Sequence, residues 1–207
     1  MDAETIKKAE AALLEMDPMI SGLIKTQTLL TRPVRMDYFS SLAHSIIGQQ
    51  VSVAAARAIS GRFEEYTEMD PAKVAALTEE ACKVIGLSRQ KAGYLRDLAA
   101  HFVDNPSVYD HLDTLSDEAV ITDLTAVKGI GVWTAQMFMI FTLGRPDVFA
   151  PDDVGLQHGM LKLFGWNELP PKKELAIIAQ RWAPYRSVAS LHLWQSLDAP
   201  SKEVTAS

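Results

Sequence analysis

A pair of glycines between two helical segments constrains the fold of this 207-residue chain more than any other feature. Residues 127–131 read Val-Lys-Gly-Ile-Gly and precede an apolar segment that is predicted to be helical over 132–143. Residues 116–124 are predicted to form the preceding helix, because Ser116 can cap it and two acidic residues suit its positive end. We expect a tight hairpin with glycine-only backbone angles at both glycines, open to the close approach of a ligand.

The start of the second helix makes this hairpin a predicted anion site. The first amides of a helix have no partners within the helix and attract phosphate above all. The chain lacks the G-x-G-x-x-G pattern of dinucleotide sites and the G-x-x-x-x-G-K-[ST] pattern of nucleoside triphosphate sites. Gly129 and Gly131 are therefore predicted to contact a phosphate of another kind of ligand, and Lys128 is predicted to face it.

Composition excludes several classes of protein. Apolar stretches are interrupted before the ~18 residues that a membrane span needs, and no leader-like segment opens the chain, so we expect a cytoplasmic location. The single cysteine, Cys82, excludes an intramolecular disulfide and a four-cysteine iron–sulfur cluster, and we expect it to be buried. The five histidines show no metal-ligand spacing, so structural or surface roles are expected for them.

The formal charge of −6 argues against a nucleic-acid partner, because most proteins that bind nucleic acids are basic. Binding depends on the local field, however, and not on the total charge. We expect modest, salt-sensitive affinity and a local positive rim. Its candidate residues are Arg57, Arg62, Arg89, Lys91, Lys128, Arg145 and Lys162.

Amphipathic helical patterns dominate the rest of the chain, and strand signals are nearly absent. The pattern predicts an all-α protein of about ten short helices. The first helix is predicted to end before Asp17-Pro18. Besides the two hairpin helices, the predicted ranges are 3–15, 37–47, 53–66, 71–77, 78–85, 89–102, 153–164, 172–182 and 185–197.

Three segments, in family order, resemble the helix-hairpin-helix DNA glycosylase superfamily. The hairpin unit and its continuation to Pro-Asp-Asp at 151–153 are similar to the family's hairpin and the loop that leads to its catalytic aspartate. Residues 37–57, with Ile-Ile-Gly-Gln-Gln, resemble the alkylbase branch, which comprises the 3-methyladenine DNA glycosylase II and yeast-type enzymes. Residues 181–194 are similar to the closing segment of that branch. Together the three segments span roughly residues 35–195.

The resemblance implies two helical lobes with a central cleft. One lobe is a bundle over 36–142 that includes the helix-hairpin-helix at about 116–143, and the other combines 1–35 with 143–207. The implied activity is base excision repair by a monomeric, monofunctional glycosylase. Such an enzyme flips alkylated bases of the 3-methyladenine or 7-methylguanine type out of double-stranded DNA and hydrolyses their N-glycosidic bond.

Asp153 matches the catalytic carboxylate of the family. A carboxylate near the anomeric carbon stabilises the positive charge that grows on the sugar. The alternative is that an aspartate here only caps the following helix. We expect both roles to be filled, with Asp152 at the cap or outside it and Asp153 pointing into the cleft.

Trp133 and Trp194 align with tryptophans that line the base pocket in relatives, although packing in the core is the alternative for both. A cationic base would gain ~0.5–2 kcal/mol from an indole face. Met137 stands where some relatives have a pocket aromatic. Bifunctional relatives carry a nucleophilic lysine at the position of Trp133, so the resemblance implies no lyase activity.

Gln50 matches the residue that relatives insert into the vacated base stack, and a solvent-facing loop amide is the alternative. Ser52 is expected to cap the next helix, with a minor-groove contact as the second possibility. In relatives, hairpin carbonyls hold a monovalent cation against a DNA phosphate. By position, the carbonyls here would be those of Thr125, Val127 and Ile130, binding Na⁺ or K⁺, with no other cofactor.

Two other functions stay open at the level of the sequence. The damaged base could be of another class, such as oxidised guanine or deaminated adenine. Oxidised-guanine enzymes, however, usually use the nucleophilic lysine that is replaced by Trp133 in this chain. A non-catalytic helix-hairpin-helix module that binds DNA or senses damage is the alternative outside enzymes. Asp153 and the two candidate pocket tryptophans argue against that module.

Overall fold

The computed structural model describes residues 1–29 and 37–198, and all regular elements in these ranges are helical, which confirms the all-α prediction. In chain order the described helices are α1 (Ala3–Met16), α2 (Pro18–Ile24), α3 (Tyr38–Gly48), α4 (Val53–Thr67), α5 (Pro71–Ala75), α6 (Glu79–Ile85), α7 (Arg89–Asp104), α8 (Pro106–Tyr109), α9 (Asp117–Thr125), α10 (Val132–Phe141), α11 (Val154–Phe164), α12 (Lys172–Ala179) and α13 (Arg186–Asp198). Short 3-10 turns lie at Leu112–Thr114 and Gln180–Trp182. None of the described helices is long and apolar enough to cross a membrane.

The chain divides into two compact units. The hairpin unit is Arg35–Leu143, and the terminal unit combines Met1–Val34 with Gly144–Ser207. The predicted lobe boundary at 142/143 lies one residue before the observed division at 143/144. The other predicted boundary, at 35/36, lies outside the described residues.

Helix starts follow the local sequence closely. Thr78, Ser88 and Ser116 each accept a hydrogen bond from a backbone N–H in the first turn of α6, α7 and α9, as expected of N-cap residues. The first helix ends before Asp17, as predicted, but the helix that follows it was not predicted. Asp17 ends α1 and also caps α2, where Pro18 occupies the first turn and needs no N–H partner. Asparagine and proline at 105–106 likewise begin α8, a short helix that the hydrophobic pattern of the sequence did not predict.

Each unit has its own core. In the hairpin unit α7 packs against α3, α5 and α8, and Leu95 and Leu98 are fully buried, while Cys82 is buried as expected. In the terminal unit α13 packs against α11, α2 and α1. Trp182 is fully buried there, and its indole N–H donates to the buried carboxylate of Asp17 at 2.8 Å. Trp182 is therefore a core residue of the terminal unit.

Candidate active site

The hairpin between α9 and α10 shows why glycine is needed at one of its two positions. Gly129 has φ +86°, and a Cβ there would lie 2.2 Å from the Tyr94 ring. Gly131 is extended, with φ −100° and ψ 175°, so the expectation of glycine-only angles was wrong at this residue. A Cβ at Gly131 would meet no atom within 4 Å in the described structure. Gly131 caps α10 without a side-chain hydrogen bond, and the open main chain there suits an anion.

Lys128, which is predicted to face a phosphate, pairs with an aspartate of α7. Its ammonium pairs with Asp97 Oδ1 at 2.8 Å, and its backbone N–H donates to Asp97 Oδ2 at 2.8 Å. Burial tends to raise the pKa of the Asp97 carboxyl, but the hydrogen bonds and charge of Lys128 hold that pKa below its ordinary value. The same hydrogen bond raises the pKa of Lys128. Sequence reasoning missed Asp97, because it is separated from Lys128 by 31 residues.

The loop between α3 and α4, residues 49–52, carries the predicted wedge, and we call it the wedge loop. Gln50 has an exposed side chain and a left-handed backbone with φ 55°. Ser52 accepts a hydrogen bond from the backbone N–H of Ala55 at 3.2 Å, which confirms that it caps α4. The wedge role of Gln50 stays a prediction.

Two of the predicted base-pocket residues lie on α10. Trp133 is in its first turn and is 43% exposed, and Met137 follows one turn later and is partly exposed. Residues four apart on a helix lie on the same side. The two side chains therefore form one apolar surface at the start of the helix that follows the hairpin.

The predicted catalytic aspartate lies in the terminal unit and is itself the cap of α11. Asp153 is 9% exposed, and its Oδ1 accepts hydrogen bonds from the Leu156 backbone N–H and the Trp194 indole N–H, both at 2.8 Å. Of the two positions expected for Asp152, at the cap or outside it, the structure shows the second. Asp152 pairs with Lys172 at 2.5 Å on the surface. Because two N–H donors hold one oxygen, the Asp153 side chain is fixed in place and suited to carry a negative charge.

Gly155 allows this arrangement. A Cβ there would lie 2.8 Å from Trp194 Cδ1 and Nε1, and 3.0 Å from Asp153 Oδ1. Real Cβ atoms almost never approach other atoms this closely, so a larger residue would displace the indole or the carboxylate. Trp194, predicted as a pocket wall, thus also holds the carboxylate. The sequence did not reveal that Trp194 holds the carboxylate or that Gly155 makes room for the indole, because Trp194 and Asp153 are 41 positions apart.

Several residues of the expected positive rim are bound to main-chain carbonyls at helix ends. Arg62 donates to Ile85 O of α6, Lys91 to Ile47 O and Gln49 O at the end of α3, and Lys162 to Ser196 O of α13. Cations are favourable at helix C-termini, where the last carbonyls lack partners within the helix. These bonds fix the charges in place without neutralising them. Arg57 and Arg89 are exposed.

The carbonyls predicted to hold a monovalent cation lie at the end of α9 and in the hairpin. Thr125 is the last residue of α9, and the Val127 carbonyl accepts the turn hydrogen bond from Ile130 N–H at 3.1 Å. The negative end of a helix favours a cation, and each carbonyl oxygen has two lone pairs. Among the described residues no group of three or more histidine, cysteine or acidic side chains is placed to hold a metal ion.

Comparison with known proteins decides the family. A profile of the family described as "HhH-GPD superfamily base excision DNA repair protein" matches residues 43–184, which include the wedge loop, the hairpin and Asp153. The chain belongs to the HhH-GPD superfamily. The fold and family that the sequence segments resembled are thereby confirmed.

Relatives place this HhH-GPD protein in the alkylbase branch. A DNA-3-methyladenine glycosylase of Saccharomyces cerevisiae is 37% identical over 72% of this chain. The structure of a DNA-3-methyladenine glycosidase from Bacillus halodurans has a TM-score of 0.81 and 37% identity, covering 89% of this chain and 86% of that one. The structure of a Schizosaccharomyces pombe 3-methyladenine DNA glycosylase in complex with abasic DNA has a TM-score of 0.80 and 27% identity, covering 93% of this chain and 97% of that one.

The HhH-GPD chain differs in length from some relatives. It spans 57% of the Saccharomyces cerevisiae protein and 62% of a Bacillus subtilis relative. By contrast, it spans 92% of the curated Schizosaccharomyces pombe glycosylase. The residues that match the family profile, 43–184, include both the helix-hairpin-helix and Asp153.

Proposed function

We propose that this HhH-GPD protein is a DNA glycosylase that removes alkylated bases, of the 3-methyladenine and 7-methylguanine type, from double-stranded DNA in base excision repair. The observation that carries the proposal is the state of Asp153. Its carboxylate is nearly buried and is held by two N–H donors, one from the main chain and one from Trp194. A helix cap needs only the first of these donors, so the second points to a carboxylate whose position matters.

The proposed reaction is hydrolysis of the N-glycosidic bond. The bond between C1′ and the base nitrogen breaks, and its electron pair leaves with the base. A cationic alkylated base leaves as a neutral molecule and needs no proton donor. Asp153 stabilises the positive charge that develops on the sugar, and water then adds to C1′ and releases a proton. No covalent intermediate with the protein is required.

The aromatic residues supply the selectivity in this proposal. An indole face attracts a cationic ring by ~0.5–2 kcal/mol, which favours alkylated over unmodified bases. Trp133 and Met137 offer an apolar, polarisable surface at the start of α10. In the terminal unit, the Trp194 indole remains partly exposed while its N–H is bound to Asp153.

The hairpin unit would hold the DNA. Gly129 and Gly131 bring the main chain of the hairpin and the first amides of α10 to a phosphate. The carbonyls of Thr125, Val127 and Ile130 would hold a monovalent cation at the hairpin. It would supply positive charge only, and no step of the reaction depends on it.

Two further contacts to DNA belong to the proposal. Gln50, exposed on the wedge loop, would fill the gap that the everted base leaves, since that task needs only a side chain of suitable size. Lys128 would contribute positive charge near the phosphate, reduced by its pairing with Asp97.

We further propose that the enzyme is monofunctional. A glycosylase with lyase activity needs an amine that attacks C1′ and forms a Schiff base. Tryptophan occupies position 133, where the resemblance implies a lysine in bifunctional relatives. The product would be an intact strand with an abasic site.

Incubation with a methylated duplex tests both parts of the proposal. Free 3-methyladenine or 7-methylguanine should appear in the soluble fraction, and the strand should break only after alkali treatment. Borohydride should trap no covalent protein–DNA complex. DNA binding without base release would show the non-catalytic module instead, and strand cleavage without alkali would refute the monofunctional mechanism.

A further inference from the structure

One side of α7 contacts both the wedge loop and the hairpin. Lys91, Tyr94 and Asp97 follow each other at intervals of three residues along this helix. The Lys91 ammonium donates to Gln49 O at 2.8 Å and also to Ile47 O. Burial lowers the pKa of Lys91, as expected for an ammonium group drawn away from water to reach these carbonyls.

The other two residues of this side reach the hairpin. The Tyr94 ring packs so closely on Gly129 that no Cβ could fit between them. Asp97 accepts both the backbone N–H and the ammonium of Lys128. A direct link closes the arrangement, because the Gln49 side-chain amide donates to the Gly129 carbonyl at 2.9 Å.

Packing alone does not hold the wedge loop. A cavity of about 420 Å³ lies beside it and is bordered by Gln49, Gln50, Lys91, Tyr94 and Gly129. The backbone of Gln50 is also left-handed, a conformation that residues with a Cβ rarely adopt. A loop with a cavity beside it and an unfavourable backbone needs polar bonds to keep one conformation.

We propose that α7 is a brace that fixes the wedge loop relative to the hairpin, with Lys91 as the positioning residue for Gln50. The brace makes the capture of a phosphate by the hairpin and the entry of Gln50 into the base stack occur in one fixed geometry. The inference rests on the proposed function, in that Gln50 must enter the DNA. Lys91 touches no reacting atom and acts through the carbonyls of the loop.

A binding assay tests the brace without any base release. The probe is a duplex with a tetrahydrofuran abasic analogue next to 2-aminopurine, whose fluorescence reports how its neighbours stack. We define the wedge signal as the difference in 2-aminopurine fluorescence between the complex of the wild-type protein and that of Gln50→Ala. Lys91→Met should lose this signal, while Lys83→Met, an exposed lysine on the neighbouring α6, should keep it.

The same variants are then compared in single-turnover base release. Loss of hydrogen bonds to a charged group predicts a fall of about ten- to a hundredfold for Lys91→Met in a paired duplex. A methylated base placed opposite an abasic gap is unpaired and needs no wedge, so its release should be nearly unchanged. Damage to the fold would lower both rates alike. Lys91→Cys treated with bromoethylamine restores an ammonium of similar length and should recover the duplex rate, since Cys82 is buried.

A double variant decides whether Lys91 acts through Gln50. Lys91→Met/Gln50→Ala should release the base from a paired duplex no more slowly than Gln50→Ala alone. Losses of rate that add in the double variant would overturn the inference. A wild-type protein without a wedge signal, or Lys91→Met with a full one, would overturn it as well. A full wedge signal without base release would leave the brace standing and refute the proposed function instead.

Discussion

Replacing Gly155 with alanine tests whether the carboxylate must be held by Trp194. A methyl group at this position would lie 2.8 Å from Trp194 Nε1 and Cδ1. Favourable carbon contacts need ~3.5–4.0 Å, so the indole has to move by roughly 0.7–1.2 Å. The bond from Nε1 to Asp153 Oδ1 is now 2.8 Å, and a shift of that size takes it beyond hydrogen-bond length.

The expected loss follows from the strength of that bond. A hydrogen bond to a charged group contributes about 1.5–3 kcal/mol, so its loss slows the reaction by about ten- to more than a hundredfold if the charge acts in the transition state. The stability of the fold should change little, because alanine is favoured over glycine in a helix by about 1 kcal/mol, which offsets part of the strain.

Single-turnover release of 7-methylguanine from a duplex measures the reaction rate, and thermal unfolding measures the stability of the fold. Gly22→Ala is the matched control, since a Cβ at that helical glycine in the same unit meets no atom within 4 Å in the described structure. Trp194→Phe removes the same N–H and should show a similar loss that does not add to that of Gly155→Ala. Wild-type rates in Gly155→Ala would refute the idea that the indole positions the carboxylate.

Burial lowers the pKa of His192 from its ordinary 6.5, so the unfolded chain takes up the proton first and stability should fall as the pH drops below that value. Denaturant unfolding at several pH values checks this, and an equal pH dependence in His192→Gln would contradict it. Asp97→Asn should release Lys128 and steepen the slope of log affinity against log salt by up to about 0.9, whereas an unchanged slope would show that Lys128 does not reach phosphate. Trp133→Ala should lower release of cationic 7-methylguanine about two- to thirtyfold more than release of neutral hypoxanthine. Equal losses would exclude a cation–π contribution.

The sequence predicted those features of the fold that depend on neighbouring residues. The helix start at Ser116 was predicted because a cap and the amide that it accepts lie only three residues apart. The left-handed Gly129 was visible because its neighbours already suggested a turn. The end of the first helix before Asp17-Pro18 was predicted correctly, but α2 was missed because the same pair of residues can end one helix and begin another.

The parts of the site that the sequence did not reveal depend on contacts between distant segments. Trp194 meets Asp153 across 41 residues, and Lys91 meets Gln49 across 42. Such pairs leave no periodic pattern, and the residue types alone suggest other roles, such as a pocket wall or a surface charge. Only the folded geometry shows that Gly155 makes room for the indole.

The most direct test of the account is base release by Asp153→Asn. Asparagine keeps a side-chain oxygen that can accept the N–H groups of Leu156 and Trp194, so the cap is retained while the negative charge is lost. Release of methylated bases should fall by about a hundredfold or more, and affinity for a duplex with an abasic analogue should stay close to that of wild type. Release at the wild-type rate would contradict the central claim that this carboxylate stabilises the charge on the sugar.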